Sequence, residues 1–348
     1  MNLVQPLLQA AAAAPERPAL IVAGRDGDRG LGYAELEARS ARIAGRLAAR
    51  GIAAGCRVLV LAPLSVDLYA GLIALWRLGA VAVFLDPWSG PGALGQAAAR
   101  VDADALIVGR GARLLRPFVG ALRRIPQVVA VGGSGADSLA GLAATGPVHH
   151  DLTQVDRDHP ALLTFSSGSG GPPKAVVRSH GVLRAQHEAI AAALPQRPGR
   201  VAFSAFPVLS LHQLAGGATS VLAPWQAAVA HPAAAARLLR ILERTDCKEG
   251  AGPPALWRSL AEAALAGRRT LGLERVVLGG APVEARLLAL LRRALPRAEI
   301  LAVYGSTEAE PAALIRAEEA IARAERTARG AGLPLGWPAA GLALRIVD

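Results

Sequence analysis

The chain has 348 residues, is 52% hydrophobic, largely through alanine, and carries a formal net charge of +11; that length fits one large or two ordinary domains and a substantial core. No apolar run approaches the roughly 18 residues of a membrane span, and Met1 to Pro18 lacks the basic start and cleavage site of a secretory leader, so a cytoplasmic location is expected. The arginines are scattered singly along helical stretches and aromatic residues make up only 4%, which speaks against a nucleic-acid partner; composition explains most of the charge, and an acidic cofactor or an acidic partner domain could explain the rest. Cys56 and Cys247 lie far apart with no metal-type spacing and read as reduced structural residues.

From Pro15 the element types alternate. Tyr33 to Arg50 places Leu36, Ile43 and Leu47 at helical spacing and stops at Gly51. Arg57 to Ala62 is a compact apolar strand, Asp67 to Leu78 a second helix ending at Gly79, and Ala80 to Leu85 a strand before a Pro87 turn. Short strands follow at Ala105 to Val108 and Val128 to Val131. This rhythm predicts an α/β fold with parallel-rich sheets flanked by helices. Gly132 to Gly146 is small and polar and reads as a surface loop. His149-His150-Asp151 does not read as a metal site, because adjacent side chains of an extended chain point apart.

Leu163 to His180 reads Leu-Thr-Phe-Ser-Ser-Gly-Ser-Gly-Gly-Pro-Pro-Lys-Ala-Val-Val-Arg-Ser-His. Gly168, Gly170 and Gly171 free the backbone to turn its N–H groups toward an anion, and Thr164, Ser166, Ser167 and Ser169 add hydroxyl donors. Lys174 adds charge, and it is one of only two lysines in the chain, Lys248 being the other. The apolar run 161–165 predicts a strand leading in and 175–177 a strand leading out, with Pro172-Pro173 preventing helix between them. A nucleotide-triphosphatase phosphate loop is disfavoured, because Pro173 precedes the lysine and Ala175 follows it; no Gly-x-Gly-x-x-Gly can be read either. A flexible linker fits poorly between two apolar strand runs.

Two further constellations lie downstream. Phe206 to Pro224 is apolar around His212, which reads as a hydrogen-bonded structural residue or as a residue beside a substrate pocket. Arg275 to Leu278 is a strand ending in Gly279-Gly280-Ala281-Pro282, where small residues at a strand's carboxyl end let a flat ring approach the backbone. A helix over 283–295 follows, and the strand 299–303 then delivers Tyr304-Gly305-Ser306-Thr307-Glu308. An aromatic face suits a base, small donors suit phosphate, and a hard carboxylate suits magnesium.

Together these stretches resemble the adenylate-forming superfamily of acyl-CoA synthetases, luciferases and peptide-synthetase adenylation domains. Phe165, Ser167, Gly168, Ser169, Gly171, Pro173, Lys174 and Val176 match its phosphate-loop signature; Gly170 replaces a threonine and Ala175 a glycine. Residues 51–58 and 78–87 resemble the superfamily's amino-terminal part. The resemblance implies the large amino-terminal domain of that fold, divided into two α/β subdomains at about residue 160, with the small carboxyl-terminal lid domain absent, whether by truncation or because the chain is a natural half-protein. It further implies that ATP and Mg²⁺ are used to activate a small-molecule carboxylic acid as its acyl-adenylate. Tyr304 would stack on adenine, Thr307 would meet the α-phosphate, Glu308 would hold Mg²⁺, Lys174 and the loop would bind phosphate, and His212 would sit beside the acyl pocket. Residues 206–211, 303–311 and 327–332 look most like the β-lactone synthetases of olefin biosynthesis, which close a β-hydroxy fatty acid into a ring without coenzyme A. An ordinary acyl-CoA ligase, which would use coenzyme A, remains the alternative; under either reading the resemblance implies partner enzymes of a fatty-acyl pathway. A non-catalytic nucleotide-binding or scaffold protein is the rival class, motivated by Gly170, Ala175 and the absent lid.

Overall fold

The alternation of strands and helices resolves into two sheets in the computed structural model, which describes residues 1–348 except 25–26, 86–89, 167–173, 270, 307–308 and 346–348, with Pro91, Ala93, Ser166 and Lys174 described by their backbone alone. In chain order the strands are β1 (Pro18–Val22), β2 (Arg29–Gly32), β3 (Arg57–Leu61), β4 (Val81–Phe84), β5 (Ala105–Gly109), β6 (Gln127–Val131), β7 (Pro160–Ser166) and β8 (Lys174–Ser179). They continue with β9 (Val201–Ser204), β10 (Thr219–Leu222), β11 (Glu249–Gly252), β12 (Arg275–Leu278), β13 (Glu299–Ser306), β14 (Ala309–Arg316) and β15 (Trp337–Pro338).

The chain divides into two compact units, Met1–Glu16 with Gly32–Ala185, and Arg17–Leu31 with Gln186–Asp348. The boundary therefore falls about 25 residues beyond the position expected near residue 160, for two physical reasons. Strands β7 and β8 pair into the first sheet, whose order is β6-β5-β3-β4-β7-β8, so the chain cannot leave that unit before residue 179. Strand β1 pairs in parallel with β10, Leu20 opposite Ser220, and so carries the segment 17–31 into the second sheet.

In the first unit all strand pairs are parallel except β7–β8. The helix Gly90–Val101 packs Leu94, Ala97, Ala98 and Val101 against Leu59, Val83 and Leu106 of the sheet. The helix Val66–Arg77 is apolar on every side and buried along almost its whole length, as such a pattern demands. It starts where the Ser65 Oγ accepts from the Leu68 N–H at 3.2 Å. It ends at the wholly buried Arg77, whose guanidinium is paired with Glu37 at 2.9 Å and donates to the His150 carbonyl at 2.6 Å. One expectation fails here. The stretch 132–146 is a surface loop only in its first half, because Leu139–Ala144 is a helix whose Leu139 and Leu142 are buried. Ser138 starts it, its Oγ accepting from the Gly141 N–H at 3.0 Å.

The second unit has a nine-stranded sheet in the order β15-β14-β13-β12-β11-β9-β10-β1-β2. The run from β1 through β13 is parallel in each described pair, while β14 and β15 add antiparallel strands. The helices Pro232–Arg244, Pro254–Ala266 and Ala285–Ala294 cover one face with Leu238, Leu242, Trp257, Leu260, Leu288 and Leu291. The other face holds a smaller core of Ile190, Leu194, Ala251, Val277 and Leu301, with Leu209 packed against it. No helix among the described residues is long and apolar enough to cross a membrane.

Candidate functional site

The loop expected to hold phosphate is framed in the first unit by an antiparallel pair. Ser166 lies opposite Lys174, Phe165 opposite Ala175 and Thr164 opposite Val176, so the chain leaves β7 and re-enters β8 at directly facing positions. The frame is held by its core side, where Leu163 and Phe165 pack against Leu59, Val83 and Leu106. Ser167, Gly168, Ser169, Gly170 and Gly171 lie outside the described residues, as do Thr307 and Glu308. Thr164 offers one pointer to a ligand: its Oγ1 is buried and has no hydrogen-bond partner among the described residues, an arrangement that costs about 1–3 kcal/mol unless something satisfies it.

In the second unit the parallel strands β12 and β13 end side by side, Leu278 opposite Ala302, and present two turns at their carboxyl ends. After β12 the chain passes through Gly279 and Gly280, the latter at φ +76°, a left-handed conformation that a side chain would strain. A Cβ on Gly279 would stand 3.3 Å from the Val303 carbonyl oxygen, so the two strand ends approach as closely as glycine permits. After β13 the pairing with β14 shifts register between Tyr304, opposite Ala313, and Ser306, opposite Ala309. Gly305 occupies that bulge, where a Cβ would lie 2.9 Å from the Ala309 carbonyl oxygen.

By alternation Tyr304 belongs to the face of Ile300 and Ala302, which are buried under the helices. Tyr304 itself is half exposed. Its ring borders a cavity of about 390 Å³, lined also by Gly280, Ala281, Pro282, Gly305 and Leu335. That volume lies within the range of about 300–1,000 Å³ usual for small-molecule sites. The apolar walls, the close backbone of Gly280-Ala281-Pro282 and one exposed aromatic face fit a flat heteroaromatic ring. Ser306 is exposed at the end of β13. Among the described residues no cluster of three or more His, Cys, Asp or Glu side chains could hold a metal ion, so the magnesium expectation rests on Glu308.

His212 sits on the helix Pro207–Ala215 and is 5% exposed. Its Nδ1 lies 2.7 Å from the Nδ1 of His187, so one nitrogen donates and the other accepts. Burial, and secondarily the neighbouring His187, pushes the His212 pKa down to about 3, which keeps the ring neutral near pH 7. Its Nε2 is buried without a hydrogen-bond partner among the described residues. The ring lines a narrow cleft with Ile190, Leu209, Ala251 and Val277 whose free volume, about 20 Å³, is the room of a single water. Sequence reasoning missed His187, which stands 25 residues from His212 and carries no local signal. Phe206, read in the sequence only as the start of an apolar stretch, has its ring 3.5 Å from where a Cβ on Gly280 would stand.

Comparison with known proteins gives the family. The chain is 32% identical over 365 residues to the olefin beta-lactone synthetase of Stenotrophomonas maltophilia (strain K279a), covering 99% of this chain and 64% of that protein. It is 33% identical over 352 residues to the protein of the same name from Xanthomonas campestris pv. campestris, covering 96% of this chain and 62% of that one. It thus spans a little under two thirds of the length of these relatives. The inhibitor-bound N-terminal domain of FACL13 from Mycobacterium tuberculosis has the same fold, with a TM-score of 0.78 at 21% identity over 92% of this chain and 80% of that one. The pattern of the AMP-binding enzymes matches residues 7–348, and the chain belongs to that family.

Proposed function

We propose that this chain binds ATP with Mg²⁺ and activates a fatty or β-hydroxy fatty acid as its acyl-adenylate, and that the whole protein then closes a β-lactone. The cavity beside Tyr304 is the observation that carries the nucleotide half of this reading, because its stacking face and close backbone suit adenine. The names of the two relatives at 32% and 33% identity support the lactone half. A carboxylate oxygen of the acid attacks the α-phosphorus, and pyrophosphate leaves with the electrons of the broken P–O bond. No side-chain nucleophile is required. Lys174 and the amides of the loop 167–173 would stabilise the departing phosphates, and Thr307 would hold the α-phosphate. Magnesium, held by Glu308, would neutralise charge on the phosphates. In the second step the β-hydroxyl oxygen of the same acid attacks the acyl carbon, AMP leaves, and the hydroxyl proton passes to solvent or to a base.

Calorimetry tests the first half. ATP–Mg²⁺ should bind the chain, and Lys174→Ala should weaken that binding at least about tenfold, the loss of one charge-assisted contact. Absence of any nucleotide binding would sink the reading and favour a scaffold. The second half is tested on the whole protein with a β-hydroxy acid, ATP and Mg²⁺ in the absence of coenzyme A. Release of AMP and a β-lactone is expected; a product formed only when coenzyme A is added would overturn the lactone step and leave adenylation standing.

A further inference from the structure

The stretch between β5 and β6 concentrates charge that looks dispersed along the sequence. Between Asp104 and Asp137 no acidic residue occurs, while Arg110, Arg113, Arg116, Arg123 and Arg124 all fall there. The chain forms the helix Arg110–Leu115, a tight 3₁₀ turn Arg116–Phe118 and the helix Gly120–Arg124. Its inner side is fixed, with Val119, Leu122 and Ile125 buried in the core of the first unit. Arg116 secures the turn from within, its guanidinium donating to the carbonyls of Leu122 at 3.2 Å, Arg123 at 3.3 Å and Ile125 at 3.1 Å.

The outer side is left with two kinds of residue. Leu114 is 74% exposed and Phe118 85%. Arg110, Arg113, Arg123 and Arg124 of the same segment are exposed too, and none has an acidic partner among the described residues. A single exposed apolar side chain needs no explanation, but a turn held by Arg116 that exposes a phenylalanine and a leucine in one segment with four arginines lacking acidic partners among the described residues does. Other polyanions fit less well. Single-stranded nucleic acid needs successive aromatic platforms, and only one aromatic is present here; an acidic helix needs an apolar groove to enter, whereas Leu114 and Phe118 stand 74% and 85% exposed.

We infer that the segment 110–124 docks on an anionic phospholipid surface, with Leu114 and Phe118 entering the acyl boundary and the four outer arginines meeting the headgroup phosphates. A short basic amphipathic unit binds in this way, apolar burial and charge acting together. Each arginine close to such a surface strengthens partitioning about fivefold, and the attraction is screened by salt. The inference does not depend on the proposed reaction, since its readout needs no turnover.

Sedimentation of the full chain with sucrose-loaded vesicles tests it. Binding to vesicles of phosphatidylcholine mixed with phosphatidylglycerol should exceed binding to phosphatidylcholine alone at least about tenfold and should fall as salt rises. Combining Arg113→Gln, Arg123→Gln and Arg124→Gln should weaken it about a hundredfold, three fivefold steps. Combining Leu114→Ser with Phe118→Ser should weaken it about tenfold at unchanged charge. All five residues are exposed, so circular dichroism and the melting temperature should not move in either variant, and ATP binding should stay as in the wild type. Absence of vesicle binding at low salt overturns the inference, and so does binding that both variants retain in full. Binding that depends on the arginines but ignores Leu114 and Phe118, with heparin bound equally well, overturns it in favour of a general polyanion surface.

Discussion

His212 should make the second unit sensitive to acid, and the size of the effect follows from its burial. The ring is 5% exposed and held neutral, with its pKa lowered from 6.5 to about 3. A base whose folded pKa lies below its unfolded value takes up its proton more readily in the unfolded chain. The stabilisation is therefore complete above about pH 6.5 and is lost as the pH falls toward about 3. At about pH 4.5, two units into that window, the loss is about 2–3 kcal/mol, at 1.36 kcal/mol per unit. His212→Gln removes the titration while keeping an amide able to meet the His187 Nδ1. The assay is urea unfolding followed by tryptophan emission, Trp257 being wholly buried in this unit. The stability gap between wild type and His212→Gln should shift by about 2–3 kcal/mol, in the variant's favour, between about pH 7 and 4.5. Other acid-sensitive groups, such as the buried His180 with its pKa lowered to about 4, are common to both proteins and cancel. A gap that stays constant across that range would show that His212 is solvated or already charged in the folded state, and the reasoning would fail.

Tyr304→Ala should weaken ATP–Mg²⁺ binding by about 5- to 150-fold, the worth of one base–aromatic stack at about 1–3 kcal/mol, whereas Tyr304→Phe should leave the calorimetric affinity within about twofold because the face rather than the hydroxyl is used. Gly305→Ala places a methyl 2.9 Å from the Ala309 carbonyl oxygen and 3.2 Å from the Glu310 Cα, and the bulge must shift at a cost of about 1–3 kcal/mol in denaturant unfolding. Gly272→Ala, with nothing within 4 Å of its new methyl and no positive φ, should stay within about 0.5 kcal/mol of wild type. Ser138→Ala should cost about 1–2 kcal/mol in the same assay, since it removes the cap on Gly141 and the hydrogen bonds to the Gly133 and Gly135 carbonyls.

What could be read from the sequence was the chemistry written in short runs. The apolar stretches at 161–165 and 175–177 gave both strands around the lysine loop, and Val276–Leu278 followed by Gly279-Gly280 marked the end of a strand beside a cavity. The pairing of those runs could not be read, because alternation is blind to direction: nothing in residues 160–179 distinguishes an antiparallel hairpin from two strands that go separate ways. Transfer of β1 into the second sheet was hidden for the same reason, its partner β10 lying 200 residues away. The helix Leu139–Ala144 is a different kind of miss. Ser138 ahead of a small apolar run is a helix start signal, but Gly132, Gly133 and Gly135 just before it carry the stronger signal of a loop. Contacts between elements left no trace at all, since His187 meets His212 only through the packing of two helices.

The arginines of 110–124 show how far a one-dimensional reading can mislead about charge. Their spacing along the chain is irregular and each has apolar neighbours, which is why they read as scattered. A helix and a tight turn collapse that spacing, and burial of Val119, Leu122 and Ile125 fixes which side faces out. One arginine is consumed in holding the turn, while four remain exposed in the same segment as Leu114 and Phe118. Net charge is a property of composition, but a binding surface depends on which charges the core leaves unpaired. The vesicle experiment separates the two, because replacing three of these arginines leaves the chain strongly basic, at about +8 from +11, and yet should remove most of the binding.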